Sequence, residues 1–234
     1  MLEKPLRVVF FGDSICYGQH VSLHSGWVSQ LAARLEVAAR SQGAAVCVAN
    51  ASVNGNTTRM ALERMAHDVQ KDGADVLLIQ FGLNDCNYWQ SDCGVPRVSP
   101  RAFAANLEEI VSRAEAFGVG RVLLNNNHPT ARDQEPLAGF GRPYERSNER
   151  YNEITRALAR ELGARVQFTD VEAAFRRGTQ GSRERLLELL RPHPDLLHLN
   201  QAGHDFYVEL LAPVLERALG DVIASRRTST SATA

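Results

Sequence analysis

Val76-Leu77-Leu78-Ile79-Gln80-Phe81 has five apolar residues in six, without the strict alternation of a strand that wets one face. A strand this apolar belongs at the centre of a parallel sheet, where helices cover both sides. Working outward from it, short apolar runs at 6–11, 45–49, 121–125 and 166–169 alternate with longer amphipathic stretches. That alternation is the mark of βαβ units, so an α/β fold with about five parallel strands is predicted. Helices are expected over 27–40, 57–72, 100–117 and 144–162, and a last one from near Gln201. Val28, Leu31, Leu35 and Ala38 share one face of the first, and Met60, Leu62, Met65 and Val69 roughly share one face of the second. Gly73 should stop the second helix, and Ser99 should cap the third ahead of Pro100. The final helix should turn Phe206, Leu210 and Val214 to the sheet, with Pro213 as a kink.

The chain of 234 residues fits a single domain over 1–224, with no repeat and no linker. Residues 225–234, rich in Ser, Thr and Ala, are expected to form a disordered tail. Lys and Arg number 26 against 27 Asp and Glu, a net charge of −1, which argues against the basic stripe of a nucleic-acid binder. Hydrophobic residues at 44% and charged residues at 23% exclude wholesale disorder. No stretch approaches the roughly 18 uninterrupted apolar residues of a membrane span, and the N-terminal apolar run is too short for a signal-peptide core. Cys16, Cys47, Cys86 and Cys93 show no zinc spacing and are expected to be reduced thiols of a cytoplasmic protein, with a Cys86–Cys93 bridge disfavoured.

Polar clusters follow three successive strands: Gly12-Asp13-Ser14, then Asn54-Gly55-Asn56-Thr57-Thr58, then Gly82-Leu83-Asn84-Asp85. Each alone reads equally well as a turn or a helix cap. In a parallel sheet, however, the three strand ends share one edge, so a hydroxyl, a glycine amide and a side-chain amide can converge there. A serine hydroxyl needs a base. Among seven histidines, His198 stands out because Asp195 lies three residues before it, near enough on a turn to hold Nδ1 and leave Nε2 facing a hydroxyl. His193 and His204 are rivals by proximity alone, and His67 reads as a surface residue.

These blocks together make the chain resemble an SGNH hydrolase of the GDSL-type lipase/esterase group. The matching residues are Ser14 in GDS, Gly55 in NGNTT, Asn84 in GLND and His198 in DLLH, in the family's order and spread over most of the chain. GDSI stands in place of GDSL, and Ser52 where many members carry glycine. The resemblance implies a three-layer α/β/α, flavodoxin-like fold. It also implies Ser14 as nucleophile, His198 as general base and acid, Asp195 as its orienter, and an oxyanion hole from the amides of Ser14 and Gly55 and the side chain of Asn84. It calls for no cofactor and no metal.

A binuclear metallophosphoesterase would need ligands this chain lacks, there being no Asp-x-His after the first strand and no His-x-His near the end. A non-catalytic module of the same fold would be expected to have lost Ser14, Asp195 or His198. Two long connections, 85–99 and 128–143, follow strand ends and should shape the pocket. Tyr88 and Trp89 in the first suit stacking on a sugar ring, or else pack the loop on the domain; Arg132, Asp133, Glu135 and Arg142 make the second polar. Asp13 and His128 are also expected to face substrate. With no apolar lid, the expected substrate is a short-chain ester of a carbohydrate or small metabolite, such as an O-acetyl group; a lysophospholipase, a thioesterase or an acyltransferase would use the same residues.

Overall fold

A computed structural model describes residues 4–134 and 141–231. Its sheet has five strands, β1 (Leu6–Gly12), β2 (Val46–Asn50), β3 (Val76–Gln80), β4 (Arg121–Asn125) and β5 (Gln167–Thr169), in the order β2-β1-β3-β4-β5. Every pairing is parallel. The run that opens the sequence reading is β3, at the centre, and all five of its residues are buried.

The described helices are α1 (Ser14–Tyr17), α2 (Trp27–Ser41), α3 (Thr58–Met65), α4 (Pro100–Ala116), α5 (Tyr144–Leu162), α6 (Val171–Gly178), α7 (Arg183–Leu187) and α8 (Gln201–Ser231). Because the β1-to-β2 and β2-to-β3 crossovers run in opposite directions across the sheet, right-handed connections place α2 on one face and α3 on the other. The packing agrees: α2 lies against α8, while α3, α4 and α5 pack in a row, giving three layers. The direction reverses between β1 and β3, so a crevice opens beyond their carboxyl ends. Trp27 is fully buried beneath this region, edge-on to Phe10 of β1 and stacked on Tyr207 of α8.

Local chemistry explains most boundaries. Ser99 caps α4 by accepting from the Ala102 amide at 3.3 Å. Thr57 caps α3 in the same way, the helix continues as a π-helical turn Ala66–Gln70, and Gly73 follows with φ 73°. Several expectations need correction. Ala39, not Ala38, is the buried residue of α2, and Met60 of α3 is exposed. In α8 the buried face is Tyr207, Leu211 and Leu215, with Phe206, Leu210 and Val214 at its margin; Pro213 lies inside a helix that continues through it. The tail expected to be disordered carries α8 on to Ser231. Arg226 ties that segment down by donating to the Lys4 carbonyl at 2.9 Å and to Asp75 Oδ1 at 2.6 Å. The four cysteines are free, Cys86 buried and Cys93 exposed. Among the described residues, no helix is long and apolar enough to cross a membrane.

Candidate active site

Strand β1 ends at Gly12, and α1 begins at Ser14. A Cβ on Gly12 would lie 2.9 Å from the Gln80 carbonyl of β3 and collide with the Cys16 side chain, so the chain can turn here only without one. Asp13 caps the single turn of α1 by accepting from the Ile15 amide at 3.0 Å, and Gly18 (φ 82°) closes it by donating its N–H to the Ser14 carbonyl. This tight turn holds Ser14 at the sheet edge, only 6% exposed, with Oγ 3.0 Å from His198 Nε2.

His198 comes from a turn ahead of α8. Its Nδ1 lies 2.9 Å from Asp195 Oδ2, and Asp195 Oδ1 accepts the main-chain amides of His198 at 2.7 Å and Leu197 at 3.0 Å. A carboxylate can only accept, so the imidazole proton belongs on Nδ1 and the Nε2 lone pair faces the Ser14 hydroxyl. The turn itself is pinned at several points. Arg191 donates its amide to the His198 carbonyl, Ala131 to the Leu196 carbonyl, and Arg132 donates Nε to the Asp195 carbonyl at 2.6 Å.

His128 belongs to this scaffold rather than to the pocket, contrary to expectation. It is fully buried, with Nε2 2.9 Å from the Leu197 carbonyl and Nδ1 3.0 Å from the Tyr207 hydroxyl, so Nε2–H donates to the carbonyl and no edge remains for a ligand. Burial drives its pKa down to about 4, which keeps it neutral. His204, a rival for the base, is equally buried; its Nδ1 accepts the Trp27 amide at 3.3 Å, and burial lowers its pKa to about 4. His193 is exposed.

Gly55 and Asn84 meet at the same edge. Gly55 has φ 76° with open space where a Cβ would sit, so backbone freedom rather than room requires glycine. Arg97 joins the two, its Nη1 donating to the Gly55 carbonyl at 3.2 Å and to Asn84 Oδ1 at 3.4 Å. Asn84 Nδ2 in turn donates to Asp13 Oδ2 at 3.3 Å. Arg64 makes a parallel clasp, donating to Asn56 Oδ1 at 2.6 Å and the Gly12 carbonyl at 3.2 Å. Neither arginine stands out in the sequence; only an acidic partner four residues on, Asp68, hints that Arg64 is engaged.

Asp13 is completely buried beneath this edge and faces Ile15 and Asn84, not a ligand, which corrects its assignment to the substrate pocket. Burial, with a contribution from nearby Asp85, raises its pKa to about 7. Asp85 is raised to about 6, again by burial, while accepting the Thr58 amide at 2.9 Å. Beside Ser14, burial lowers the pKa of His198 despite the Asp195 carboxylate. Burial works the other way on Asp195, but the hydrogen bonds from His198 and Leu197 outweigh it and hold the carboxyl below its usual value.

Around the rim, Trp89 is 53% exposed, with the Arg97 guanidinium 4.4 Å above its ring, and Tyr88 is half-buried. In the second long connection, Asp133 pairs with Arg183 at 3.0 Å and Arg132 lies over the Tyr144 ring. Glu135 lies outside the described residues.

A doubly wound sheet with a serine, a histidine and an aspartate in hydrogen-bond sequence at its switch crevice is the layout of an α/β serine hydrolase. Residues 10–206 match the GDSL-like Lipase/Acylhydrolase family, and the chain belongs to that family of acylhydrolases. It is 27% identical over 124 residues to an arylesterase of Vibrio mimicus, covering 53% of this chain and 56% of that protein. Against an acetylxylan esterase of Geobacillus stearothermophilus it is 24% identical over 215 residues, 85% of this chain and 88% of the other. The crystal structure of an acetylxylan esterase from the same organism superposes with a TM-score of 0.68 at 22% identity, over 94% of this chain and 96% of that one. A lipase/acylhydrolase of Enterococcus faecalis gives 0.66 at 21% identity, over 90% and 95%.

Proposed function

We propose that the protein is a serine esterase that hydrolyses short-chain carboxylic esters through an acyl-enzyme on Ser14, within one domain built on the sheet described above. The observation that carries this reading is the continuous relay from Ser14 Oγ to His198 Nε2 at 3.0 Å and from His198 Nδ1 to Asp195 at 2.9 Å. In the first step Oγ attacks the ester carbonyl as its proton passes to Nε2; the imidazolium then protonates the departing alcohol. Water repeats the sequence on the acyl-enzyme with His198 again as base. Asp195 keeps the ring in the required tautomer and stabilises its charged form. The oxyanion is assigned to the amides of Ser14 and Gly55 and to Asn84 Nδ2, which Arg97 and Asp13 hold in orientation.

O-acetyl groups on a carbohydrate are the substrate class best supported. An exposed Trp89, in a loop with Asn87, Ser91 and Asp92, offers a ring face with hydrogen-bonding neighbours, and one relative is named an acetylxylan esterase. The test is hydrolysis of p-nitrophenyl esters from acetate to palmitate by wild type, Ser14→Ala and His198→Ala. Activity should fall with acyl length and collapse in both variants. Full activity in Ser14→Ala refutes the mechanism, whereas a preference for palmitate refutes the substrate class and favours a lysophospholipase or thioesterase.

A further inference from the structure

Asp195 has a second imidazole beside it that the hydrolytic sequence does not use. His20, in the loop after α1, places Nε2 3.6 Å from Asp195 Oδ2, and its ring stands edge-on to that of His198 with centroids 5.1 Å apart. Its backbone is left-handed, with φ 76°. One donor atom from each of His20, Asp195 and His198 lies within 4.8 Å of the other two. All three side chains reach solvent, at 37%, 18% and 17% exposure.

We propose that His20, Asp195 and His198 form an inhibitory site for a divalent transition-metal ion of the zinc type, a proposal that rests on His198 being the catalytic base. Two imidazoles and a carboxylate make a three-ligand set, with the fourth tetrahedral position left for water. Bonds of about 2.0–2.1 Å in that geometry set ligand atoms about 3.4 Å apart. The carboxylate oxygen already lies 3.6 Å from His20 Nε2 and 2.9 Å from His198 Nδ1, so two of the three edges need shifts of only a few tenths of an ångström, and the donor atoms all lie within 4.8 Å of one another. Gln19 Nε2, 3.0 Å from His20 Nε2, has to swing aside. Arg132, bonded to the Asp195 carbonyl, adds positive charge nearby and keeps the binding reversible.

The inhibition follows from which nitrogen the metal takes. On Nδ1 it replaces the proton shared with Asp195, and the single proton of the neutral ring moves to Nε2. That nitrogen then donates to Ser14 Oγ and can no longer accept its proton, so the base is lost without any residue leaving its place. Mg²⁺ and Ca²⁺, which prefer all-oxygen shells, are poor occupants of this set.

Two readouts test the site. The rate of p-nitrophenyl acetate hydrolysis is followed against Zn²⁺ in a non-chelating buffer, and Co²⁺ absorption is titrated on wild type, Ser14→Ala, His20→Asn and His67→Ala. Asparagine is chosen at position 20 because it tolerates left-handed backbone and is a poor zinc ligand. Zinc should suppress the wild-type rate, EDTA should restore it, and equal Mg²⁺ or Ca²⁺ should leave it unchanged. In His20→Asn the half-inhibiting zinc concentration, relative to that variant's own metal-free rate, should rise at least about tenfold, the cost of losing even an outer-shell partner. His67→Ala, which removes the exposed His67–Asp68 pair, should not move it. Ser14→Ala should retain the absorption of four-coordinate cobalt while turning over no substrate, so the metal site is read even if the esterase assignment fails. Equal zinc inhibition and equal cobalt absorption in wild type and His20→Asn, or inhibition by Ca²⁺ as strong as by Zn²⁺, overturn the proposal.

Discussion

Asp13→Asn should stabilise this protein, and do so most at alkaline pH. The Asp13 carboxyl is wholly buried, and its pKa in the folded chain is about 7 against 3.8 for an ordinary aspartate. Since the folded value lies above the unfolded one, the native state carries a penalty that is complete above pH 7 and fades as the pH falls toward 3.8. Each tenfold change in proton affinity is worth about 1.36 kcal/mol, so the penalty is about 4 kcal/mol at pH 8.5 and about 3 kcal/mol smaller at pH 5. Asparagine has no charge to bury. It keeps an oxygen for the Ile15 amide and caps as well as aspartate, but sets an N–H against Asn84 Nδ2, costing about 1 kcal/mol at either pH. Urea unfolding of both proteins at pH 8.5 and pH 5 gives the answer, because titrating groups that do not interact with Asp13 cancel between them, and relief of the like-charge Asp85 carboxylate acts in the same direction. The variant's advantage should be about 3 kcal/mol greater at the higher pH. An advantage that does not change with pH would refute the reasoning.

Two further outcomes bear on the chemistry. Asn84→Ala should lower kcat by roughly 10²–10³-fold and leave KM nearly unchanged, because the lost donor acts on charge that develops only in the transition state; steady-state kinetics on p-nitrophenyl acetate decide it. The plot of kcat/KM against pH should fall on the acid side with a midpoint below the ordinary histidine value of 6.5, since burial lowers the His198 pKa and the proposed mechanism requires the neutral ring. A midpoint at or above 7 contradicts that assignment.

The regular part of the fold is legible because it obeys a period. Strand β4 and helix α5 lie where the pattern puts them, and the most apolar run is indeed the central strand. Helices α1, α6 and α7, of 4, 8 and 5 residues, are too short to repeat a period, and their caps at Asp13, Asp170 and Ser182 resemble ordinary turn residues. On α8 the sequence offers apolar doublets, Phe206-Tyr207, Leu210-Leu211 and Val214-Leu215, so two adjacent faces score alike and only packing against the sheet and α2 selects the second. The site divides the same way. Ser14, Gly55, Asn84, Asp195 and His198 can be picked out because strand ends and a three-residue spacing collect them. His128 misleads because a strand end specifies which residue lies near the crevice, not which way its ring turns. Arg64 and Arg97 act through carbonyls of distant loops, and no local pattern announces such a contact.

The hydrogen bond between Ser14 and His198 joins residues 184 positions apart. Closing a loop of that length costs about 5 kcal/mol of chain entropy, several times the roughly 1 kcal/mol net that one hydrogen bond returns. The bond cannot gather its own partners; the sheet and the contact of α2 with α8 must already have brought them near. During synthesis the segments of β1, β2 and β3 emerge well before His198, so Ser14 has no imidazole beside it until the turn ahead of α8 has followed. On refolding of the whole chain, esterase activity should return no earlier than helical signal, because the Ser14–His198 contact depends on packing that the helices supply.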